Sequence, residues 1–287
     1  MAQDTLFYNK FKLDCGIKIL DLSTPAVMGI LNVTPDSFYD GGKYDDTQSI
    51  KAQVEKMIEE GADIIDIGGY STRPNAKDIS EKEELERVIP ALRSVRKEFP
   101  ETIISIDTFR SLVAVKAVDA GANIINDISG GTLDKNMFST LAKLKVPYIL
   151  MHIKGTPQDM QKDPVYENVT DEVKKYFTEN ISELKNLGVS QIILDPGFGF
   201  GKTVEHNYQL LKDLPIFKSL GFPVMTGISR KSMINKVLKT KPENALNGTT
   251  VANTIALING ANILRVHDVK EAKEAIQIVA YADTFIM

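Results

Sequence analysis

The chain has 287 residues, of which 43% are hydrophobic and 25% are charged. These proportions are those of an ordinary globular protein, and they exclude collagen-like and intrinsically disordered chains. The 34 basic and 38 acidic side chains leave a net charge of −4. No overall positive field therefore favours nucleic acid or an anionic membrane, although a local anion site is compatible with this charge.

Cysteine usage and hydropathy bear on the compartment. Cys15 is the only cysteine, so the chain forms no internal disulfide and no thiolate zinc cluster. Charged side chains interrupt the first fifteen residues at Asp4, Lys10, Lys12 and Asp14. No run approaches the ~18 apolar residues of a membrane span. We therefore expect a cytoplasmic protein that binds no nucleic acid and no membrane.

A short pattern recurs along the chain and marks the joint between a helix and a strand. It reads Gly61-Ala-Asp-Ile-Ile-Asp-Ile67, Gly121-Ala-Asn-Ile-Ile-Asn-Asp127 and Gly260-Ala-Asn-Ile-Leu-Arg-Val266. The glycine is typical of a helix end in the left-handed conformation, and the apolar run after it is typical of a parallel strand buried on both faces. Amphipathic stretches precede these glycines, which indicates crossover helices.

In chain order, this pattern predicts eight strands, each followed by a helix. The strands are predicted at 26–32, 63–68, 103–107, 123–128, 147–152, 191–195, 223–228 and 262–267. The helices are predicted at 47–60, 81–98, 110–120, 135–144, 168–187, 204–219, 231–257 with a break near Pro242, and 269–282. Eight units without a linker favour a single (β/α)8 TIM barrel over 1–287, with a doubly wound open sheet as the alternative. We expect residues 1–24 to form a short hairpin that closes the barrel floor.

The long polar loops all follow strands rather than precede them. They span 33–46, 69–80 and 153–167. In a (β/α)8 barrel these loops lie on the face where active sites are built. Their placement indicates an enzyme.

A polar side chain ends nearly every predicted strand. Taken singly, each could cap a helix or stabilise a turn. Together they line one barrel mouth: Asn32, Asp66, Asp107, Asn126, His152, Asp195, Ser229 with Arg230 and Lys231, Arg265 and His267. Among them, Asp107, Asn126 and Asp195 present acceptors and an amide that match a flat heterocycle bearing an amino group beside a ring N–H. A guanine-like or pterin-like ring is predicted.

Four cationic or titratable side chains are predicted opposite this acidic floor: Arg73, Lys231, Arg265 and His267. Surface cations are often merely solvated, but these are suited to binding phosphate groups. Pyrophosphate would recruit Mg²⁺, which takes few protein oxygens, and Asn32 is the candidate ligand. With only three histidines in the chain, a histidine-based zinc site is not expected.

The glycine-rich run from Pro196 to Thr203 resembles a nucleotide-binding loop only superficially. Position 196 is proline where a P-loop requires glycine, and one residue rather than two separates the second and third glycines. The run therefore fits neither nucleotide motif. Phe198 and Phe200 more often pack than bind, although one at the mouth could stack on an aromatic substrate.

These residues also carry a family resemblance that spans about 26–268. The motifs are Gly29-Ile-Leu-Asn-Val-Thr-Pro-Asp-Ser-Phe38 with Asp40-Gly-Gly42, Asp66-Ile-Gly-Gly69, Ser71-Thr-Arg-Pro74, Ser105-Ile-Asp-Thr108, Asn126-Asp127, Asp195-Pro-Gly-Phe-Gly-Phe-Gly-Lys202, Ser229-Arg-Lys231 and Arg265-Val-His-Asp268. In that order they resemble dihydropteroate synthases. The resemblance implies a transferase of folate biosynthesis that joins 6-hydroxymethyl-7,8-dihydropterin pyrophosphate to 4-aminobenzoate, and it implies a homodimer.

The resemblance also implies residue roles. The pterin would be held by Asp107, Asn126, Asp195, Lys231 and Arg265, and 4-aminobenzoate would contact Thr72, Arg73, Pro74, Phe200, Ser229 and Lys231. The residues that bind the pyrophosphate and its Mg²⁺ would be Asn32, Arg73, Arg265 and His267. The catalytic groups would be Lys231, Arg265, His267 and Arg73. Tyr70 departs from the pattern, because many relatives carry an acid there.

Two alternatives share parts of this pattern. A pterin-binding methyltransferase domain would have the same barrel and floor, but it would need no pyrophosphate loop. A non-catalytic pterin-binding barrel could lose Arg73, Lys231 or the loop near Asp36, all of which are present.

Overall fold

We analysed a computed structural model of the chain. It describes residues 11–34, 46–71, 78–156, 160 and 164–284. Strands β1 (Lys12–Asp14) and β2 (Ile19–Asp21) pair antiparallel. Leu13 and Leu20 are buried against inward side chains at the amino ends of the later strands. The predicted hairpin on the barrel floor is therefore confirmed within these residues.

Eight parallel strands follow and form a barrel. They are β3 (Ala26–Asn32), β4 (Ile64–Gly68), β5 (Ile103–Asp107), β6 (Ile124–Asp127), β7 (Tyr148–Met151), β8 (Ile192–Asp195), β9 (Met225–Thr226) and β10 (Ile263–Val266). Their order is β8-β7-β6-β5-β4-β3-β10-β9, and a bridge between Leu194 and Val224 brings the two ends of the sheet together. This confirms the predicted TIM barrel and excludes the open sheet. The assignment of the whole chain, 1–287, to one domain stays a prediction.

The crossover helices lie at the predicted places. They are α1 (Asp46–Glu59), α2 (Glu81–Glu98), α3 (Ser111–Asp119), α4 (Met137–Leu144), α5 (Val169–Asn186), α6 (Val204–Lys212), α7 (Leu214–Lys218), α8 (Ser232–Leu238), α9 (Leu246–Ile258) and α10 (Val269–Asp283). The predicted helix 204–219 is divided into α6 and α7, because Pro215 at the start of α7 cannot continue the hydrogen bonding of α6. The predicted break near Pro242 is confirmed as a 3-10 turn, Pro242–Asn244.

Side chains alternate between the two faces of the barrel wall, as a strand requires. On β5, Ile104 and Ile106 pack outward under the helices, whereas Ile103 belongs to the apolar layer inside the barrel floor. Asp107 continues the inward series at the carboxyl end. The interior is therefore apolar at the floor and polar at the mouth, which places the polar strand ends in one pocket.

The predicted mouth loops fall partly outside the described residues. Positions 35–45 belong to the first loop, 72–77 to the second, and 157–159 and 161–163 to the third. Among the residues that the structure does describe, no helix has the length and hydropathy needed to cross a membrane.

Candidate active site

The acid, amide and acid predicted for the pocket floor lie at the ends of three strands. Asp107 ends β5, Asn126 lies on β6 and Asp195 ends β8, and Asn126 and Asp195 are buried. Burial raises the pKa of Asp107 to about 7, against the opposing charge of Arg265, and burial likewise raises the pKa of Asp195. The floor thus holds acceptors poorly supplied with water, which favours a ligand that brings its own N–H donors.

Arg265 lies among the carboxylates of this floor. Its Nε donates to Asp66 Oδ2 at 2.7 Å and its Nη2 donates to Asp107 Oδ2 at 2.7 Å. Burial opposes its charge, but the carboxylates of Asp66 and Asp107 outweigh burial and raise the pKa of the guanidinium. Arg265 is therefore a fixed cation that links the floor to the mouth.

Asp66 is a site residue to which the sequence analysis gave no role. Its side chain is fully buried, and Oδ2 also accepts a hydrogen bond from Asn126 Nδ2 at 3.0 Å. Its position on β4 could have indicated a role, because it lies two residues before Gly68 and therefore on the same inward face of the strand. Asp66 orients both Arg265 and Asn126.

Lys231 and Phe200 come together on the opposite side of the mouth. Lys231 Nζ donates to the carbonyl oxygen of Phe198 at 2.5 Å and lies 4.6 Å from the ring centroid of Phe200. Burial lowers the pKa of Lys231 to about 8, while the charge of Asp195 opposes this shift. Lys231 therefore presents a cation between a carboxylate and an aromatic face.

Ser229 and His267 form a further pair at the mouth. Ser229 Oγ lies 3.0 Å from His267 Nδ1, and it accepts the His267 backbone N–H at 3.2 Å. Arg230 does not join them, so its predicted place among the mouth groups is wrong. Its backbone is in the left-handed region (φ 57°), and its guanidinium turns away to Asp268 at 2.7 Å.

His152 is also not available at the mouth, contrary to prediction. It is buried, and its Nδ1 lies 3.0 Å from Lys202 Nζ. Burial, followed by the charge of Lys202, lowers the pKa of His152 to about 2. His152 is therefore a neutral structural residue rather than a proton donor.

Asn32 lies where a metal ligand was predicted. It ends β3, is partly exposed, and its Oδ1 and Asp107 Oδ2 each lie 3.7 Å from the position that a Cβ on Gly68 would occupy. Within the described ranges, no cluster of three or more histidine, cysteine or acidic side chains could hold a metal ion. The binding of Mg²⁺ by Asn32 stays a prediction.

The second mouth loop, 69–80, lies half outside the described residues. The predicted 4-aminobenzoate residues Thr72, Arg73 and Pro74 lie outside the described residues, which end at Ser71 on this side. Tyr70, the departure from the family pattern, is buried with its ring 5.1 Å from Phe109 in an edge-to-face contact. It thus packs at the base of the loop.

An ion pair supports the same base from α2. Glu84 is buried and accepts hydrogen bonds from Thr108 at 2.6 Å and from Arg110, which also donates to the carbonyl oxygen of Ile79 at 2.6 Å. The Arg110 guanidinium lies over the Tyr70 ring, with its central carbon 5.5 Å from the ring centroid. The loop therefore begins and ends on an anchored base.

Comparison with known proteins assigns this pocket to a family. A family described as pterin binding enzyme matches residues 28–267. A dihydropteroate synthase from Haemophilus influenzae is 45% identical over 269 residues, which cover 93% of this chain and 97% of that protein. The chain belongs to the dihydropteroate synthase family.

Two solved structures of the family, both from Xanthomonas albilineans, are similar over nearly the whole chain. One, a dihydropteroate synthase with 4-aminobenzoic acid, has 40% identity and a TM-score of 0.89, and the match covers 96% of this chain and 98% of that one. The other, in complex with 7,8-dihydropteroate, has 37% identity and a TM-score of 0.86, with 95% and 98% covered. The resemblance noted in the sequence is confirmed.

Proposed function

We infer that this chain is a transferase of folate biosynthesis that makes 7,8-dihydropteroate and pyrophosphate. Its substrates are 6-hydroxymethyl-7,8-dihydropterin pyrophosphate and 4-aminobenzoate. The observation that carries the inference is the acid–amide–acid floor, in which buried Asn126 and Asp195 and partly buried Asp107 lie beside Lys231 and Arg265. The family membership and the ligands named for its solved members, 4-aminobenzoic acid and 7,8-dihydropteroate, support the same reaction.

The floor accounts for recognition of the pterin. Carboxylate oxygens accept hydrogen bonds from the ring's amino group and ring N–H, and the amide of Asn126 supplies a donor and an acceptor in a fixed order. Asp66 sets that order, because its Oδ2 accepts from both Arg265 Nε and Asn126 Nδ2, so the Nδ2 side of Asn126 faces it. Ring binding thus uses groups that the barrel holds rigidly.

The chemistry proceeds by loss of the leaving group before attack. The CH₂–O bond breaks, pyrophosphate leaves with the electron pair, and the electron-rich ring delocalises the positive charge on the methylene carbon. The arylamine nitrogen then forms the C–N bond and releases a proton. Because an arylamine is neutral at pH 7, no general base is required, in keeping with a neutral and buried His152.

The leaving pyrophosphate meets Arg265 and His267, and by family resemblance Arg73. These donors stabilise negative charge as it develops on the leaving oxygens. We propose that Asn32 contributes the protein oxygen for Mg²⁺. When bound, this ion would add positive charge at the pyrophosphate.

A reconstitution assay tests the proposed function. Purified protein, the pterin pyrophosphate, 4-aminobenzoate and Mg²⁺ are expected to yield dihydropteroate, identified by mass spectrometry, with one pyrophosphate per product. Folded protein that forms no dihydropteroate would contradict the proposal. If pyrophosphate were released and a different pterin adduct formed without 4-aminobenzoate, the enzyme would use a different acceptor.

We propose that the active form is a homodimer. Apolar side chains are exposed on α9 and α10, where Val251 and Ile258 are 53% and 50% exposed and Ile278 and Tyr281 are each 70% exposed. Such a face is typical of a protein interface. Sedimentation equilibrium is expected to give twice the 31.8 kDa chain mass, and a single-chain mass at micromolar concentration would contradict the proposal. The cytoplasmic location stays a prediction.

The pH dependence of pterin binding is expected to report Lys231. Its pKa is lowered to about 8, so the ammonium loses its proton, and its charge, as the pH rises through 8. The KM for the pterin pyrophosphate should therefore rise above pH 8. A Lys231→Gln enzyme should bind the pterin pyrophosphate weakly at every pH, and its KM should not rise further above pH 8. Steady-state kinetics between pH 6.5 and 9.5 measure it. If the KM of the Lys231→Gln enzyme rose above pH 8 as in the wild type, a group other than Lys231 would cause the pH dependence.

Assembly of the aminobenzoate site is expected to wait for the first substrate. The sequence of the loops 33–46 and 69–80 contains Pro35, Gly41, Gly42, Pro74 and Asn75, which lie outside the described residues, and few apolar residues. This composition predicts an entropic cost of loop closure that the charge of bound pyrophosphate would offset. 4-Aminobenzoate should therefore bind weakly to free enzyme and much more tightly with pyrophosphate and Mg²⁺ present.

Titration calorimetry with and without pyrophosphate and Mg²⁺ measures this coupling. Arg73→Ala should abolish the gain in 4-aminobenzoate affinity. Lys77→Ala, which removes a cation from the same loop but outside the motif Ser71-Thr-Arg-Pro74, should retain it. Equal aminobenzoate affinities in the two titrations would reject ordered assembly.

A further inference from the structure

Lys202 is a buried lysine that the reaction as described does not use. Its side chain is only 4% exposed, and its ammonium meets four acceptors. These are the carbonyl oxygens of Phe200 at 2.9 Å, Gly197 at 3.0 Å and His152 at 3.2 Å, and the Nδ1 atom of His152 at 3.0 Å. The ammonium therefore joins the end of β7 to residues 196–201, here named the glycine segment.

The contact with His152 has a defined direction. An ammonium only donates, so His152 Nδ1 accepts and the ring carries its proton on Nε2. Burial and the nearby charge of Lys202 lower the pKa of His152 to about 2, which keeps this acceptor available. Burial lowers the pKa of Lys202 to about 7, against the opposing charge of Asp195, so the bond has this direction and its charge at neutral pH and below.

The opposite side of the glycine segment faces the active site. Lys231 donates to the carbonyl oxygen of Phe198 at 2.5 Å, and its ammonium lies 4.6 Å from the centroid of the Phe200 ring. A Cβ on Gly199 would come within 3.2 Å of Lys231 Cδ, and a Cβ on Gly197 would collide with the carbonyl oxygen of His152. The backbone of the segment is therefore packed directly between the two lysines.

We propose that Lys202 is a positioning residue that holds the glycine segment so that Phe200 and Lys231 form the 4-aminobenzoate wall. This proposal rests on the proposed function. The carbonyl oxygens bound by Lys202 belong to Gly197 and Phe200, on either side of the Phe198 carbonyl that binds Lys231. Displacement of the segment would therefore move Phe200 and the Lys231 ammonium together. The pterin site touches the segment at fewer points: Asp195 Oδ1 accepts the Gly197 N–H at 2.8 Å and Lys231 is shared by both substrates, whereas Asn126 and Asp107 lie on other strands. Pterin affinity should therefore fall less than 4-aminobenzoate affinity.

A purely structural lysine makes a different prediction. Loss of its bonds would lower the free energy of unfolding and reduce the amount of active enzyme, but it would leave the KM values of the remaining folded enzyme unchanged. The division between the two substrates is therefore the decisive measurement.

The test compares Lys202→Met with the wild-type enzyme in steady-state kinetics and in calorimetry with 6-hydroxymethylpterin. The KM for 4-aminobenzoate is expected to rise roughly tenfold or more, because the hydrogen bonds that hold the Phe200 backbone are lost, while pterin affinity falls by a clearly smaller factor. Lys154→Met is the matched control. Lys154 lies on the same side of the barrel and also binds a loop carbonyl, that of Val165 at 2.5 Å, but it does not contact the glycine segment through its ammonium.

Lys202→Gln provides a second variant, since methionine leaves buried carbonyls unpaired and could prevent folding. Its amide keeps two N–H donors without the charge, so its KM for 4-aminobenzoate should lie between those of the wild type and Lys202→Met. Equal changes for both substrates, or a change as large in Lys154→Met, would overturn the proposal. Absence of wild-type product would instead refute the proposed function.

A measurement on the wild type needs no variant. The chain has three histidines, so ¹⁵N NMR resolves their side chains readily. His152 is expected to stay neutral with an unprotonated Nδ1 from pH 5 to pH 7, where Lys202 carries its proton. A doubly protonated His152 in this range would show that Lys202 does not donate to it, and would overturn the proposal.

Discussion

An Asp195→Asn enzyme is expected to bind the pterin ring about 1–3 kcal/mol more weakly, or roughly five- to 150-fold. Asp195 Oδ1 accepts the backbone N–H of Gly197 at 2.8 Å. In the variant, the single amide oxygen is retained by that N–H, so the new Nδ2 group faces the ring. A donor then meets the ring's own donors where an acceptor stood.

Calorimetry with 6-hydroxymethylpterin measures this loss. Asp63→Asn is the matched control, because it makes the same chemical change at the other end of the barrel wall. There, Asp63 accepts from the Val27 N–H at 2.8 Å and from Lys273 at 2.9 Å, far from the mouth. The control should lower stability without changing pterin affinity. Undiminished pterin affinity in folded Asp195→Asn would refute the role of Asp195.

Replacement of Arg265 by alanine is expected to lower the free energy of unfolding by about 3–5 kcal/mol as well as turnover. Arg265 is the shared partner of Asp66 and Asp107, at 2.7 Å from each. Its loss leaves the buried Asp66 and the partly buried Asp107 without their cation, so the already raised pKa of Asp107 rises further. Turnover should fall more than binding of the bare pterin alcohol, because Arg265 is also the residue that we propose contacts the leaving pyrophosphate.

The stability loss should depend on pH in a defined direction. A carboxyl group whose folded pKa is raised binds its proton more tightly in the folded state, so the folded state gains from acid and loses as the pH rises through that pKa. Thermal unfolding should therefore show a larger deficit for Arg265→Ala at pH 8 than at pH 5. A deficit independent of pH would contradict the assignment of the two carboxylates.

Arg230→Ala is the control for this variant. Arg230 also forms an ion pair at the mouth end of the barrel, with Asp268 at 2.7 Å, but the pair is partly exposed and lies outside the pocket. Water solvates the remaining carboxylate, so the stability loss should be smaller and turnover should be retained. If Arg230→Ala lost as much turnover as Arg265→Ala, the guanidinium of Arg265 would have no special role at the leaving group.

Much of the site could be predicted because it lies at strand ends. Asp107, Asn126 and Asp195 follow recognisable β-branched runs, and the alternation of strand residues places them inward. The role of Asp66 was missed although it lies on a predicted strand, because its function depends on a partner rather than on its position. Lys202 was missed for the same reason, since a glycine-rich run gives no indication of which carbonyl oxygens a lysine will meet.

Local chain properties alone determined the repeating units: the glycines that end the helices, the apolar strands and the polar loops after them. Hydrophobic periodicity and backbone sterics act over a few residues, so they can be read in order along the chain. The pairing of Arg265 with Asp66 and Asp107 joins residues 199 and 158 positions apart, and closure of the barrel alone decided it. Closure also decided the burial that neutralises His152, because both the desolvation and the neighbouring charge of Lys202 come from elements that meet only in the folded barrel.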